Sequence, residues 1–201
     1  MFVQVIQGQL TDDGPVLKAL DDWVERLSAG ADGWLGSTSG TTDDGSFVGI
    51  VCFDDEPSAR RNSARPEQDD WWSRTSGLFA GDVAFHDSAE AETLRGGPSS
   101  DAGFVQVIRG RTSDATRLRE SERTLETTSS GLRPDLLGLV VATHDDGTFT
   151  EVAYFSSEED ARRGEAEDPP HDARAAMEEG MSVMDDVTYL DLRRPVLHQP
   201  A

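Results

Sequence analysis

Residues 2–10 are apolar apart from glutamines and Gly8. That is the pattern of a strand buried on both faces. Thr11-Asp12-Asp13 then offers an N-cap, and Pro15 suits a first helical turn. Val16, Leu20, Trp23, Val24 and Leu27 recur at helical spacing, with Gly30 as a stop. Residues 34–42 and 46–53 predict two strands. Asp44-Gly45 lies between them as a two-residue hairpin turn whose central positions both need positive φ. Residues 56–64 predict a short helix ended by Pro66, and 69–79 a second helical stretch with Trp71, Trp72, Thr75, Leu78 and Phe79 inward. Residues 83–86 close the unit as a strand. The order is β-α-β-β-α-β, the ferredoxin-like arrangement.

The same pattern then returns. Phe2-Val3-Gln4-Val5-Ile6-Gln7-Gly8 reappears as Phe104-Val105-Gln106-Val107-Ile108-Arg109-Gly110, six of seven residues identical at an offset of 102. Residues 34–62 and 136–164 agree at 12 of 29 positions under that offset, including Asp43-Asp44-Gly45 against Asp145-Asp146-Gly147. Near the ends the offset becomes 104, where Asp82-Val83 matches Asp186-Val187. A tandem duplication is the expected organisation. One unit would occupy residues 1–87 and a second 103–194, with a Gly- and Ser-rich linker at 88–102 and a tail at 195–201. Helices on one face leave the other face of each sheet apolar and in need of cover. The expected fold is therefore α+β, two ferredoxin-like units packed sheet to sheet within one chain.

Composition narrows the function classes. The 201 residues carry 39 acidic and 18 basic side chains, a formal charge of −21. Both halves are acidic, so nucleic acid and anionic membrane are not expected partners. No apolar run approaches the roughly 20 residues of a membrane span, and Met1 leads directly into the first strand without a basic leader. A soluble cytoplasmic protein is the expectation. Cys52 is the only cysteine, and the four histidines show no metal-ligand spacing, so no disulfide and no metal site are expected.

The chain resembles the dimeric α/β-barrel superfamily, and most closely its antibiotic-biosynthesis-monooxygenase-like branch. The features that carry the resemblance are the unit length and element order, the opening Phe2-Val3-Gln4-Val5-Ile6 strand and the Asp43-Asp44-Gly45 hairpin. The strands ending at Phe53 and Phe155 add to it, the latter followed by Ser157-Glu158-Glu159-Asp160-Ala161-Arg162. In that family two protomers form a barrel; here both halves would lie in one polypeptide. The resemblance implies a cofactor-independent monooxygenase acting on a small aromatic or polyketide-type substrate, and it leaves room for a homo-oligomer. The haem-degrading branch needs an Asn in the first strand and a His closing the second helix. Gln4 or Gln7 and Leu78 or Phe79 stand there, so haem is not expected. The competing reading is a non-catalytic module of the same fold that binds a small molecule or a protein. A structural duplicate serving a larger assembly is a third.

The resemblance also directs attention to the space between sheet and helices. All four tryptophans (Trp23, Trp34, Trp71, Trp72) belong to the first unit and both tyrosines (Tyr154, Tyr189) to the second. Leu118, Glu122, Leu125 and Ser129 stand where the first unit has Val16, Leu20, Trp23 and Leu27, and Ala173, Ala175 and Ala176 fall near the place of Trp71 and Trp72. Trp71, Trp72, Glu122 and Tyr189 are thus expected pocket residues, against the plainer reading of core packing and solvated surface. Tyr154, where the first unit has Cys52, could donate a hydrogen bond to a substrate oxygen. His86 and His171 could handle protons near neutral pH. His144 is expected to be exposed in its hairpin, and His198 to be uninvolved. A pocket of roughly 300 Å3 or more beside Tyr154 or the tryptophans would favour the oxygenase.

Overall fold

The computed structural model describes residues 1–129 and 131–200. It divides into two compact units, residues 1–90 with 194–201, and residues 91–193. The first unit runs β1 (Phe2–Gln9), α1 (Gly14–Arg26), β2 (Trp34–Thr41), β3 (Ser46–Phe53), α2 (Glu56–Ser63), α3 (Pro66–Ser76) and β4 (Ala84–Ser88). The chain continues through β5 (Glu92–Leu94), β6 (Phe104–Thr112), α4 (Ala115–Thr128), β7 (Leu136–Thr143), β8 (Thr148–Phe155), α5 (Glu158–Glu165), α6 (His171–Met181), β9 (Met184–Leu192) and β10 (Val196–His198). The α+β fold is that expected from the sequence.

Both sheets are antiparallel and five-stranded, in the orders β10-β2-β3-β1-β4 and β5-β7-β8-β6-β9. Four strands of each follow the ferredoxin-like order. The fifth is an addition that periodicity did not predict. The stretch read as a linker contributes β5 to the edge of β7, and the stretch read as a tail contributes β10 to the edge of β2. Each sheet is completed by the segment that follows the other unit's last strand.

The local chemistry explains the elements. Asp55 accepts a hydrogen bond from the Ser58 N–H at 2.8 Å and opens α2. Ser157 accepts one from the Asp160 N–H at 3.1 Å at the start of α5, and Asp114 caps α4 through the Thr116 and Arg117 N–H groups. The hairpins differ from expectation. The Thr42 carbonyl accepts from the Gly45 N–H while the Thr42 N–H donates to Ser46, so the loop has three residues. Only Gly45, at φ +84°, is left-handed. A type I turn followed by a left-handed glycine replaces the two-residue turn. His144 is correspondingly not exposed: it is buried, 3.0 Å from the Thr150 hydroxyl.

Alternation along the strands assigns the faces. Phe2, Ile6, Phe47 and Phe53 pack with Val16, Trp23, Ala59 and Phe79 on the helix side of the first sheet. Val3, Val5, Val48, Ile50 and Cys52 point the other way and are also buried. In the second unit Phe104, Ala153 and Phe155 pack with Ala161, and Leu118 with Phe149 and Val183, on the helix side. Among the described residues no helix is long and apolar enough to cross a membrane.

Candidate functional site

In the first unit, the space between sheet and helices holds a cavity of about 230 Å3. Its wall is aromatic: Trp23, Trp34, Trp71, Trp72, Phe47, Phe79 and Phe85 line it, with Gln4, Ser37, Ser39, Asn62, Gln68 and His198 as polar neighbours. The rings brace one another. Trp23 meets Trp34 edge to face at 5.1 Å, and Trp72 meets Phe85 in the same way at 5.2 Å. Each such pair contributes roughly 0.5–1.5 kcal/mol beyond its buried area. The indole N–H of Trp71 donates to the Ala19 carbonyl at 3.0 Å, which ties α3 to α1, and that of Trp23 donates to the Gln68 side chain at 2.6 Å. Trp34 is different. It is only 6% exposed, and its indole N–H is buried without a hydrogen-bond partner. A buried donor of this kind is costly unless something accepts from it.

The corresponding space in the second unit is built from other residues. At the offset of 102, Glu122 takes the place of Leu20 and Glu151 that of Gly49. Glu151 is buried, and its Oε1 has no partner. Burial pushes the Glu122 carboxyl up to about 7; burial and the neighbouring Glu122 charge push Glu151 well above the ordinary range. Here α4 and α6 lie against each other. A Cβ on Gly180 would stand 2.7 Å from the Ser121 hydroxyl, and Ala173 and Ala176 are buried beside it.

The residues singled out from the sequence are not gathered into one place. Trp71 and Trp72 line the cavity. Glu122 is half-buried on α4. Tyr154 is fully buried on β8 opposite Val105, so its ring lies on the face away from the helices. His86 pairs with Val5 and shares that face in the first sheet. His171 is exposed at the start of α6, with Nδ1 3.2 Å from Asp172. Tyr189, opposite Ile108 as Phe85 is opposite Ile6, is 63% exposed. Three residues were missed. Trp34 counted only as one of four tryptophans. Glu151 had a legible signal, being an acid within an otherwise uncharged strand. His198 had none: only the docking of β10 brings it to the cavity, where its Nε2 lies 3.0 Å from Asp21 Oδ1. Burial pushes the Cys52 thiol up to about 12, so it is inert. Among the described residues no group of three or more His, Cys, Asp or Glu is placed to hold a metal ion.

Comparison with solved structures speaks to this architecture. A candidate monooxygenase of Lactobacillus acidophilus NCFM superposes with a TM-score of 0.75 at 14% identity, over 98% of each chain. One from Fusobacterium nucleatum gives 0.73 at 11% identity, over all of this chain and 94% of that one. An anthrone oxidase-like protein gives 0.66 at 11% identity, over all of this chain and 91% of that one. The chain has the fold of these monooxygenase-like proteins. The likeness covers both units, so the two-unit architecture is common to the group. No family model matches the sequence, and no curated protein does. At identities this low, the shared property is the fold.

Proposed function

We propose that the first unit binds a small planar aromatic molecule in the tryptophan cavity and that the protein acts on it as a cofactor-independent monooxygenase. The observation that carries this reading is an aromatic-walled cavity that Trp34 helps to line, together with the buried indole N–H of Trp34, which has no hydrogen-bond partner. An apolar wall with few polar groups is the usual make-up of a small-molecule site. The Trp34 N–H would donate a hydrogen bond to a ligand oxygen, and the rings would hold the ligand plane. The name of the anthrone oxidase-like neighbour points to the same chemistry.

The reaction suited to such a site needs no external reductant. An acidic C–H between aryl rings gives up its proton and leaves a carbanion. The carbanion passes one electron to O2, and recombination of the resulting radical with superoxide forms a peroxide anion, which takes the proton back to become a hydroperoxide. Loss of water from the hydroperoxide leaves a ketone, so one oxygen atom enters the product and the other leaves as water. The protein's share is orientation, exclusion of water and proton handling.

Oxygen uptake with a panel of phenols and anthrones tests this reading, alongside quenching of tryptophan fluorescence. Uptake that falls with Trp34→Phe, with binding weakened about tenfold, is the expected result. Quenching without uptake across the panel would leave the second reading, a non-catalytic small-molecule-binding module. The cavity size favours that alternative: about 230 Å3 lies below the roughly 300 Å3 at which ligand pockets usually begin.

A further inference from the structure

We propose that His198, carried to the wall of the tryptophan cavity by the C-terminal strand β10, is the base that accepts the ligand's proton, with Asp21 as its positioning residue. This rests on the first unit being a small-aromatic site.

The placement follows from strand register. His198 pairs with Ser37 and Val196 with Ser39. Ser37 and Ser39 sit opposite Val51 and Gly49, on the helix side of the sheet. Paired residues share a face, so His198 is aimed to the helix side, and it borders the cavity. Its side chain is 16% exposed. From α1, the Asp21 carboxylate lies 3.0 Å from Nε2. An Nε2–H donating to that carboxylate fixes the tautomer and leaves the Nδ1 lone pair for a proton. Imidazole is the side chain most often used for proton transfer in enzymes. The other titratable residue in the cavity wall is Asp69, an exposed residue of α3. Gly36 accommodates the strand: at φ +139° it lets the His198 carbonyl come within 2.7 Å of where a Cβ would stand.

The step is a proton transfer. The O–H or C–H bond of the ligand breaks, an N–H bond forms at Nδ1, and the electron pair stays on the ligand as a phenolate or carbanion. The imidazolium so formed faces the Asp21 carboxylate.

The test uses the full chain and 4-nitrophenol, a one-ring phenol that is coloured only when ionised. Tryptophan quenching reports binding, and visible absorbance reports ionisation of the bound phenol. The expected result is quenching in the wild type with the bound phenol's ionisation constant raised about tenfold. His198→Gln, which can still hydrogen-bond Asp21, should bind with that enhancement lost. His198→Ala should behave alike, and circular dichroism would identify a variant that fails to fold. Asp21→Asn should reduce the enhancement while leaving the affinity for the neutral phenol unchanged, a split that a merely structural role would not produce. Equal enhancement in wild type and His198→Gln would overturn the proposal and leave the cavity reading standing. No quenching in the wild type would remove the cavity reading and the proposal together.

Discussion

The two units share an element order and a strand register. Phe2 pairs with Phe53 as Phe104 pairs with Phe155, and both sheets have an irregular register at Gly36 and Gly138. They differ in what fills the layer between sheet and helices. The first uses large rings, and Trp71 reaches from α3 to the Ala19 carbonyl on α1. A cavity remains among these rings, with Gly49 in its wall. The second uses Ala173, Ala176 and Gly180, so its helices approach closely, and the freed positions hold Glu122 and Glu151. The backbone fold thus tolerates either an aromatic, ligand-sized layer or a tight layer that buries two carboxyls. What decides is the size of a few side chains.

The comparison is broken most severely at Trp34. Trp34→Ala should cost about 3–5 kcal/mol in denaturant unfolding, because it removes a buried ring that braces Trp23. A small loss there would mean the aromatic layer collapses freely.

The second largest effect belongs to the acidic pair. Glu122 and Glu151 hold protons more tightly in the folded chain than in the unfolded one. Stability should be full below about pH 4.5, the ordinary carboxyl value, and should decline as the pH rises toward and past about 7. At pH 8, Glu151→Gln should be more stable than the wild type, and at pH 4.5 nearly equal to it. Urea melts at the two pH values measure the difference. An equal effect at both would show that the pair is not ionising against burial.

A smaller effect separates the sheet edges. Gly36→Ala should cost about 1–3 kcal/mol, since a left-handed position and the His198 carbonyl both oppose a side chain. Amide exchange should then quicken at 196–198 while 92–94 stays protected. The smallest is His171→Ala. Its ring is exposed at the start of α6, so stability and ligand affinity should stay within about 0.5 kcal/mol of wild type.

How much of this was legible depended on the kind of signal. Helices and strands announced themselves because their periods are written in Val, Leu, Phe and Trp, and the offset of 102 let one unit check the other. The contrast of tryptophans with alanines was equally plain, and it located the cavity-lining Trp71 and Trp72. The faces were harder. Tyr154 and His86 sit on strands as expected, but a single step of register turns a side chain from one face to the other, and both point away from the helices. The short edge strands left no trace, because three residues such as Val196-Leu197-His198 are too few for a period to show. His198 was out of reach for that reason.

That late strand has a consequence for biosynthesis. Ribosomes release a polypeptide from its beginning to its end, so β5 is already available when β7 emerges, whereas β2 must wait until β3 to β9 have all been made. During that interval the earlier-made sheet offers an open hydrogen-bonding rim, a template on which strangers can assemble. A chain cut short before Val196 would leave that rim permanently bare. Such a truncated product should be recognised by its tendency to clump rather than by any loss of helix.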